Sequence, residues 1–199
     1  MTWGKVTIRG GFLLLMAALF YFDTTGGAFW LAPAAMLHEA GHWLALRLFG
    51  ARVEAWEFSL RGVEMRLPAW PALSYGRDFA ATLAGPLFSL LGALLAARLA
   101  ARLDPGLYVL SGMSLIQGVY NLLPARSLDG GRMLRLALCR FRDQDAADRA
   151  LFFSTSFCVL LLVAAGVCAY VLSRQNFTVL LAGVYLALTM FPVERKQRA

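Results

Sequence analysis

Two histidines, His38 and His42, are all that the 199 residues contain, and they sit four apart in the stretch MLHEAGHWLAL. On a helix this spacing puts both imidazoles on one face, within reach of a single ion. Glu39 is displaced by one position, so its carboxylate stands beside a water on that ion and not on the ion itself. In this H-E-x-x-H order two neutral imidazoles hold Zn²⁺ and the glutamate acts as general base. The ion lowers the pKa of its water to about 7 and polarises a carbonyl due for attack. The same residues can form no more than a polar face on a soluble helix. In a bilayer that reading weakens, because an acid at mid-helix costs on the order of 3 kcal/mol. A histidine–carboxylate contact between helices is the remaining alternative.

Catalytic zinc normally has three protein ligands and one open position. With no third histidine, the missing ligand must be a carboxylate or a thiolate. Asp129, in NLLPARSLDGGRM, is the best candidate. Glu39 and Asp129 are the two carboxylates that combine strongly apolar neighbours with a place near the inner ends of apolar runs. Pro124 and the pair Gly130-Gly131 let the chain leave a straight helix, and irregular backbone is tolerated where it lines a cavity. A role for Asp129 as N-cap of a helix beginning GRMLRLAL is also sound chemistry, and the two roles are compatible. Cys139, Cys158 and Cys168 lack C-x-x-C spacing, and two of them lie inside apolar runs, so they read as packing residues.

The elements that must position these groups are apolar. Hydrophobic residues make up 59% of the chain and charged ones 16%, with a mean hydropathy of +0.62. This is far from the composition of a soluble domain and fits a membrane protein. Apolar stretches run near 10–22, 28–49, 79–103, 107–123, 150–173 and 176–192, the second bending at Pro33 if it bends at all. The first and last fall short of the ~20 residues a span needs. The first, although signal-like, lacks a convincing cleavage site and reads as a retained helix. The pI near 9.8 reflects arginines flanking these runs, not a nucleic-acid module. With six spans and the N-terminus inside, 16 of the 19 Lys and Arg residues are cytoplasmic, and Arg98, Arg102 and Arg174 are outside. Both termini are then cytoplasmic, and His38, about 15 Å into its span, lies in the inner half of the membrane.

Two connections stand out. EFSLRGVEMRL alternates with period two around Arg61-Gly62, which predicts a β-hairpin over 56–67, either associated with the membrane or an ordinary surface hairpin. Residues 137–149, ALCRFRDQDAADR, read as a solvated linker. The expected fold is an all-α polytopic membrane protein of about six transmembrane helices with a short β-hairpin. It forms one domain over 1–199, with a core at 28–140.

HEAGH and NLLPARSLDGG, in this order on membrane segments, resemble the site-2 protease family of intramembrane zinc metalloproteases, whose second motif is N-x-x-P followed by L-D-G. The resemblance implies that His38, His42 and Asp129 are zinc ligands and Glu39 the catalytic base. It also implies that Asn121 holds substrate or supports the transition state, although an interhelical hydrogen bond would equally explain an asparagine there. AGPLFS, residues 84–89, resembles the family's G-P-x-x-N element but has Ser89 where Asn is common, so no ligand or catalytic role is assigned to it. Gly85 and Pro86 read as a site of close helix approach and a kink. Six spans with neither a PDZ nor a CBS module look most like the minimal bacterial branch that includes sporulation proteases.

The function so implied is zinc-dependent hydrolysis of peptide bonds in transmembrane substrates, in a bacterial inner membrane. Lipid surrounds the chain, nucleic acid has no place, and a regulatory membrane subunit or homo-oligomer is compatible with the pattern. A metal transporter would instead predict further ionisable residues through several spans, and the last two spans have none in their cores. An inactive scaffold would have little use for two His, Glu and Asp together.

Overall fold

Apolar runs bounded by glycine, proline or charge become helices wherever the period of the sequence calls for them. The computed structural model describes residues 2–3, 5–23, 26–59, 62–68, 73–173 and 178–190. It divides into two compact units, Met1–Tyr120 and Asn121–Ala199.

The first unit begins with strands β1 (Thr2–Trp3) and β2 (Val6–Ile8), followed by helix α1 (Gly10–Phe22). Gly26, at a φ of 73°, turns the chain into a 3-10 turn, Gly27–Trp30, which leads directly into α2 (Leu31–Leu48). The Asp23 carboxylate accepts the Ala28 N–H at 2.6 Å and so caps that turn. Pro33 falls in the first turn of α2, where its missing N–H has no intrahelical partner to lose. It therefore starts the helix and does not kink it.

Strands β3 (Ala55–Ser59) and β4 (Gly62–Arg66) pair antiparallel, as the alternation predicts. Arg61, half of the expected turn, lies outside the described residues, while Gly62 has a φ of 108° that only glycine adopts freely. The sheet is larger than the expected hairpin. Its order is β1-β2-β3-β4, with β2 parallel to β3 and Thr7 opposite Glu57. The short N-terminal strands carry too little periodicity to be read from sequence. The expectation of an otherwise all-α chain is corrected by these two strands.

Helix α3 (Tyr75–Ala100) and helix α4 (Leu107–Asn121) complete this unit's helices, the last residue of α4 belonging to the second unit. α3 runs through Pro86 unbroken. In the second unit α5 (Asp129–Cys139), α6 (Gln144–Ser173) and α7 (Thr178–Met190) follow. α5 and the first turns of α6 occupy most of the expected solvated linker. Gly166 of α6 packs on the backbone of Leu180 in α7, where a side chain would not fit. Among the described residues α3 and the Gln144–Leu172 part of α6 are long and apolar enough to cross a membrane, and α1 and α7 are apolar but shorter.

Glu57 is the polar centre of the sheet. Its side chain is 5% exposed, and it forms ion pairs with Arg9 and Arg66, each more than half exposed. Burial alone would raise its pKa, but hydrogen bonds and charge from Arg66 and Arg9 outweigh this and hold the carboxyl below its ordinary value. A lowered folded pKa means that the ionised pair stabilises the sheet above the ordinary glutamate pKa of about 4.3. That stability is lost as pH falls through the folded pKa. Amide protection factors across β3 should therefore fall on acidification below pH ~4 in the wild type. In Glu57→Gln, exchange should be faster at neutral pH by an amount on the order of 1–3 kcal/mol and should lack that acid step. An identical pH profile in the two proteins would refute this account of the sheet.

Candidate metal centre

α2 and α3 lie unusually close because each contributes a glycine to the contact. A Cβ at Gly41 would lie 2.5 Å from the Ala84 carbonyl oxygen and 2.8 Å from the Phe88 Cβ. A Cβ at Gly85 would overlap the His42 imidazole ring. The slot left by Gly85 is thus filled by His42.

The ring nitrogens that face α3 are both occupied. His42 Nδ1 lies 2.9 Å from the Ala81 carbonyl oxygen, which only accepts, so this nitrogen carries the proton and Nε2 holds the lone pair. His38 Nδ1 lies 2.9 Å from the Ser89 hydroxyl, which is fully buried. With Ser89 accepting, His38 adopts the same tautomer. The two rings meet edge to face, with centroids 4.8 Å apart and Nε2 atoms 3.2 Å apart. Two nitrogens bound at ~2.0–2.1 Å to one tetrahedral ion stand about 3.3 Å apart. The imidazoles therefore fit a shared ion in spacing, and His42 also in tautomer, each oriented by a second hydrogen bond of the kind that tunes metal sites.

His38 is buried, while Glu39 and His42 are half-buried. Glu39 shares α2 with both histidines at the offset read from sequence. Asp129 and Asn121 belong to the second unit. Asn121 is half-buried and closes α4. Asp129, also half-buried, is the first residue of α5, whose N-cap is Leu128 with no side-chain capping bond. The N-cap role considered for Asp129 is therefore not the one it plays, although a carboxylate in a first turn still suits the helix dipole. Its position is held by the glycines that follow. A Cβ at Gly130 would strike the Leu122 and Leu123 carbonyls, and one at Gly131 the Ala125 carbonyl.

Ser89 is the site residue that sequence reasoning left without a role. A signal for it was present in the four-residue spacing of Ala81, Gly85, Ser89 and Ala93, a row of small residues along one face of α3. Such rows mark close helix contacts in membranes. The row also receives α4: a Cβ at Gly118 would lie 3.1 Å from the Ser89 Cβ, and the Ser111 hydroxyl donates to the Ala93 carbonyl at 2.8 Å.

Paired imidazoles held between close-packed apolar helices make a candidate metal site, and comparison narrows the class of protein that carries it. Residues 73–165 match the model of peptidase family M50. The chain is 32% identical over 114 residues to the zinc metalloprotease MJ0392 of Methanocaldococcus jannaschii, covering 53% of this chain and 32% of that one. It is 31% identical over 204 residues to the putative zinc metalloprotease Rip3 of Mycobacterium tuberculosis, covering 94% of this chain and 49% of that one. It thus spans a third to a half of the length of these relatives. Its fold matches that of the site-2 protease from Methanocaldococcus jannaschii with a TM-score of 0.69 at 21% identity, over 96% of this chain and 91% of the other. Residues 73–165, just under half of the chain, thus carry the match to peptidase family M50, and the fold over nearly the whole chain is that of a site-2 protease.

Replacing Ser89 by Ala removes the partner of His38 Nδ1, and divalent-metal affinity should fall about 10–100-fold. Gly85→Ala should abolish binding, because the new methyl group displaces the His42 ring. Metal competition titrations of the purified protein check both, and wild-type affinity in Gly85→Ala would contradict the packing described.

Proposed function

We propose that the chain is an intramembrane zinc metalloprotease that hydrolyses peptide bonds of membrane-spanning substrates. The observation that carries this reading is the pair of imidazoles fixed by Ser89 and Ala81, with Nε2 atoms 3.2 Å apart beside Glu39. His38, His42 and Asp129 hold the zinc, two nitrogens and one carboxylate oxygen being a donor set that suits this ion. Both relatives compared above carry zinc metalloprotease in their names, which supports the choice of metal.

Zinc at this position supplies Lewis acidity, polarising the scissile carbonyl and making hydroxide available near neutral pH. Glu39 takes the proton of the attacking water and later delivers one to the leaving amine. Asn121 supports the bound substrate or the transition state by hydrogen bonding. A substrate helix has its carbonyls bonded internally and must unwind before attack. β4 ends the sheet, so an extended substrate adds to its edge and recovers the backbone hydrogen bonds given up on unwinding.

In this reading residues 1–199 form one protease domain with six spans in a bacterial inner membrane, both termini facing the cytoplasm. A regulatory membrane subunit or a second copy of the chain is compatible with it.

Glu39→Gln should keep its zinc and lose cleavage of single-span model substrates by at least about 10²-fold. Asp129→Asn should lose zinc as well as cleavage. Wild-type protein without zinc, or equal cleavage by wild type and Glu39→Gln, would sink the proposal. Topology has its own check: a cytoplasm-active reporter should work at either terminus, and a reporter active only outside the membrane should work when inserted next to Asp104. Activity of the outside reporter at a terminus would overturn the orientation.

A further inference from the structure

The second unit contains a cavity of about 430 Å³ that the proposed chemistry does not use. It is lined by Arg126, Arg132 and Arg135, by Asp148, and by Gly131 and Leu151. The volume is that of an ordinary small-ligand site. Its charge is lopsided, with three guanidinium groups against one carboxylate. Asp148 lies 3.2 Å from Arg135 and 3.7 Å from Arg126, and all three side chains are 43–47% exposed. Ion pairs so exposed are individually weak. Asp148 thus offsets part of the charge of Arg126 and Arg135, and the lining carries three guanidinium groups against that one carboxylate.

The walls are built to present those charges. Arg132 and Arg135 are three apart on α5 and share a face. The Arg126 backbone N–H donates to the Thr155 hydroxyl of α6 at 3.0 Å, which fixes the base of that side chain. Leu151, 2% exposed, makes the floor apolar. Guanidinium forks match the oxygens of a phosphate group, and an apolar floor suits the carbon skeleton esterified to it.

Depth points to the source of that phosphate. α6 has 30 residues, or about 45 Å at 1.5 Å per residue, against a hydrocarbon thickness of ~30 Å. Its charged residues Asp145, Asp148 and Arg149 all precede the apolar run that starts at Ala150, so these first turns stand outside the hydrocarbon. The cavity at Asp148 and Leu151 then lies at headgroup level, on the arginine-rich side of the membrane. Basic pockets at that level bind anionic lipid headgroups.

We infer that the cavity formed by Arg126, Arg132 and Arg135 binds a phosphate-bearing anion, and its depth favours an anionic phospholipid headgroup. This rests on the reading of α6 as a membrane span but is independent of the zinc site. The test uses the purified full chain in neutral detergent. Its melting temperature is followed during titration with phosphatidylglycerol, with phosphatidylcholine, and with inorganic phosphate. A saturable rise is expected with phosphatidylglycerol and none with phosphatidylcholine. Arg126→Ala and Arg135→Ala should each weaken the response about fivefold, and Asp148→Asn should strengthen it by a similar factor. Loss of fold cannot produce a gain, so the opposite signs separate binding from damage. Arg140→Ala, outside the cavity, should behave as wild type. The same pattern with inorganic phosphate alone would support the cavity and assign it to a soluble phosphate. No saturable response to either ligand, unchanged affinity in the cavity variants, or equal weakening by Arg140→Ala would overturn the inference. Zinc measured in the same samples keeps a failure of the protease reading distinct from a failure of this one.

Discussion

The backbone contact between α2 and α3 is the constraint on which the candidate metal centre depends. Gly41 and Gly85 remove the side chains that would hold the helices apart, and the His42 ring takes the space left at Gly85. Only at that separation do the Ala81 carbonyl and the Ser89 hydroxyl reach the Nδ1 atoms of His42 and His38. The same close approach therefore sets the orientation of both rings and the tautomer of His42. In lipid, where apolar side chains gain little by meeting one another, small residues and interhelical hydrogen bonds are the main means of fixing such a contact. Packing and the geometry of the candidate site rest here on the same set of atoms.

A second polar device serves the sheet. Glu57 is buried against two arginines from different elements, one preceding α1 and one in β4. Its charge is acceptable only while both are present, since a buried carboxylate without partners is costly. The Phe12 and Phe58 rings, 5.5 Å apart and edge to face, add an apolar tie between α1 and β3. Ionic and aromatic contacts together seat a short sheet against the start of the helical core and leave β4 as its outer strand.

Much of this was legible in the residues, and the misses have physical reasons. His38 and His42 could be placed side by side because helical geometry converts a spacing of four directly into a shared face. The β3–β4 hairpin was legible because period two differs sharply from the helical periods around it. β1 and β2 were not, since two- and three-residue strands carry no periodicity; β2 pairs on the edge of β3, and β1 on β2. The first turns of α6 were read as linker because Asp145, Asp148 and Arg149 leave them without an apolar period, whereas a helix beginning at GRMLRLAL was expected and is α5. Leu128, not Asp129, caps that helix, a one-residue difference that local propensity does not resolve.

What the sequence by itself determined is the list of chemical parts: two imidazoles and a carboxylate on one helix, a second acid beyond a proline, and apolar runs that need a membrane. Those follow from residue types and from periods of two and 3.6, which are local properties. Tertiary structure alone decided how each imidazole is turned, because that depends on Ser89 and Ala81, 51 and 39 residues away in the chain. It also decided that three arginines from a loop and a helix would share one cavity with an acid from the next helix. Ring orientation and cavity charge are set by neighbours in space, and no local pattern encodes those neighbours.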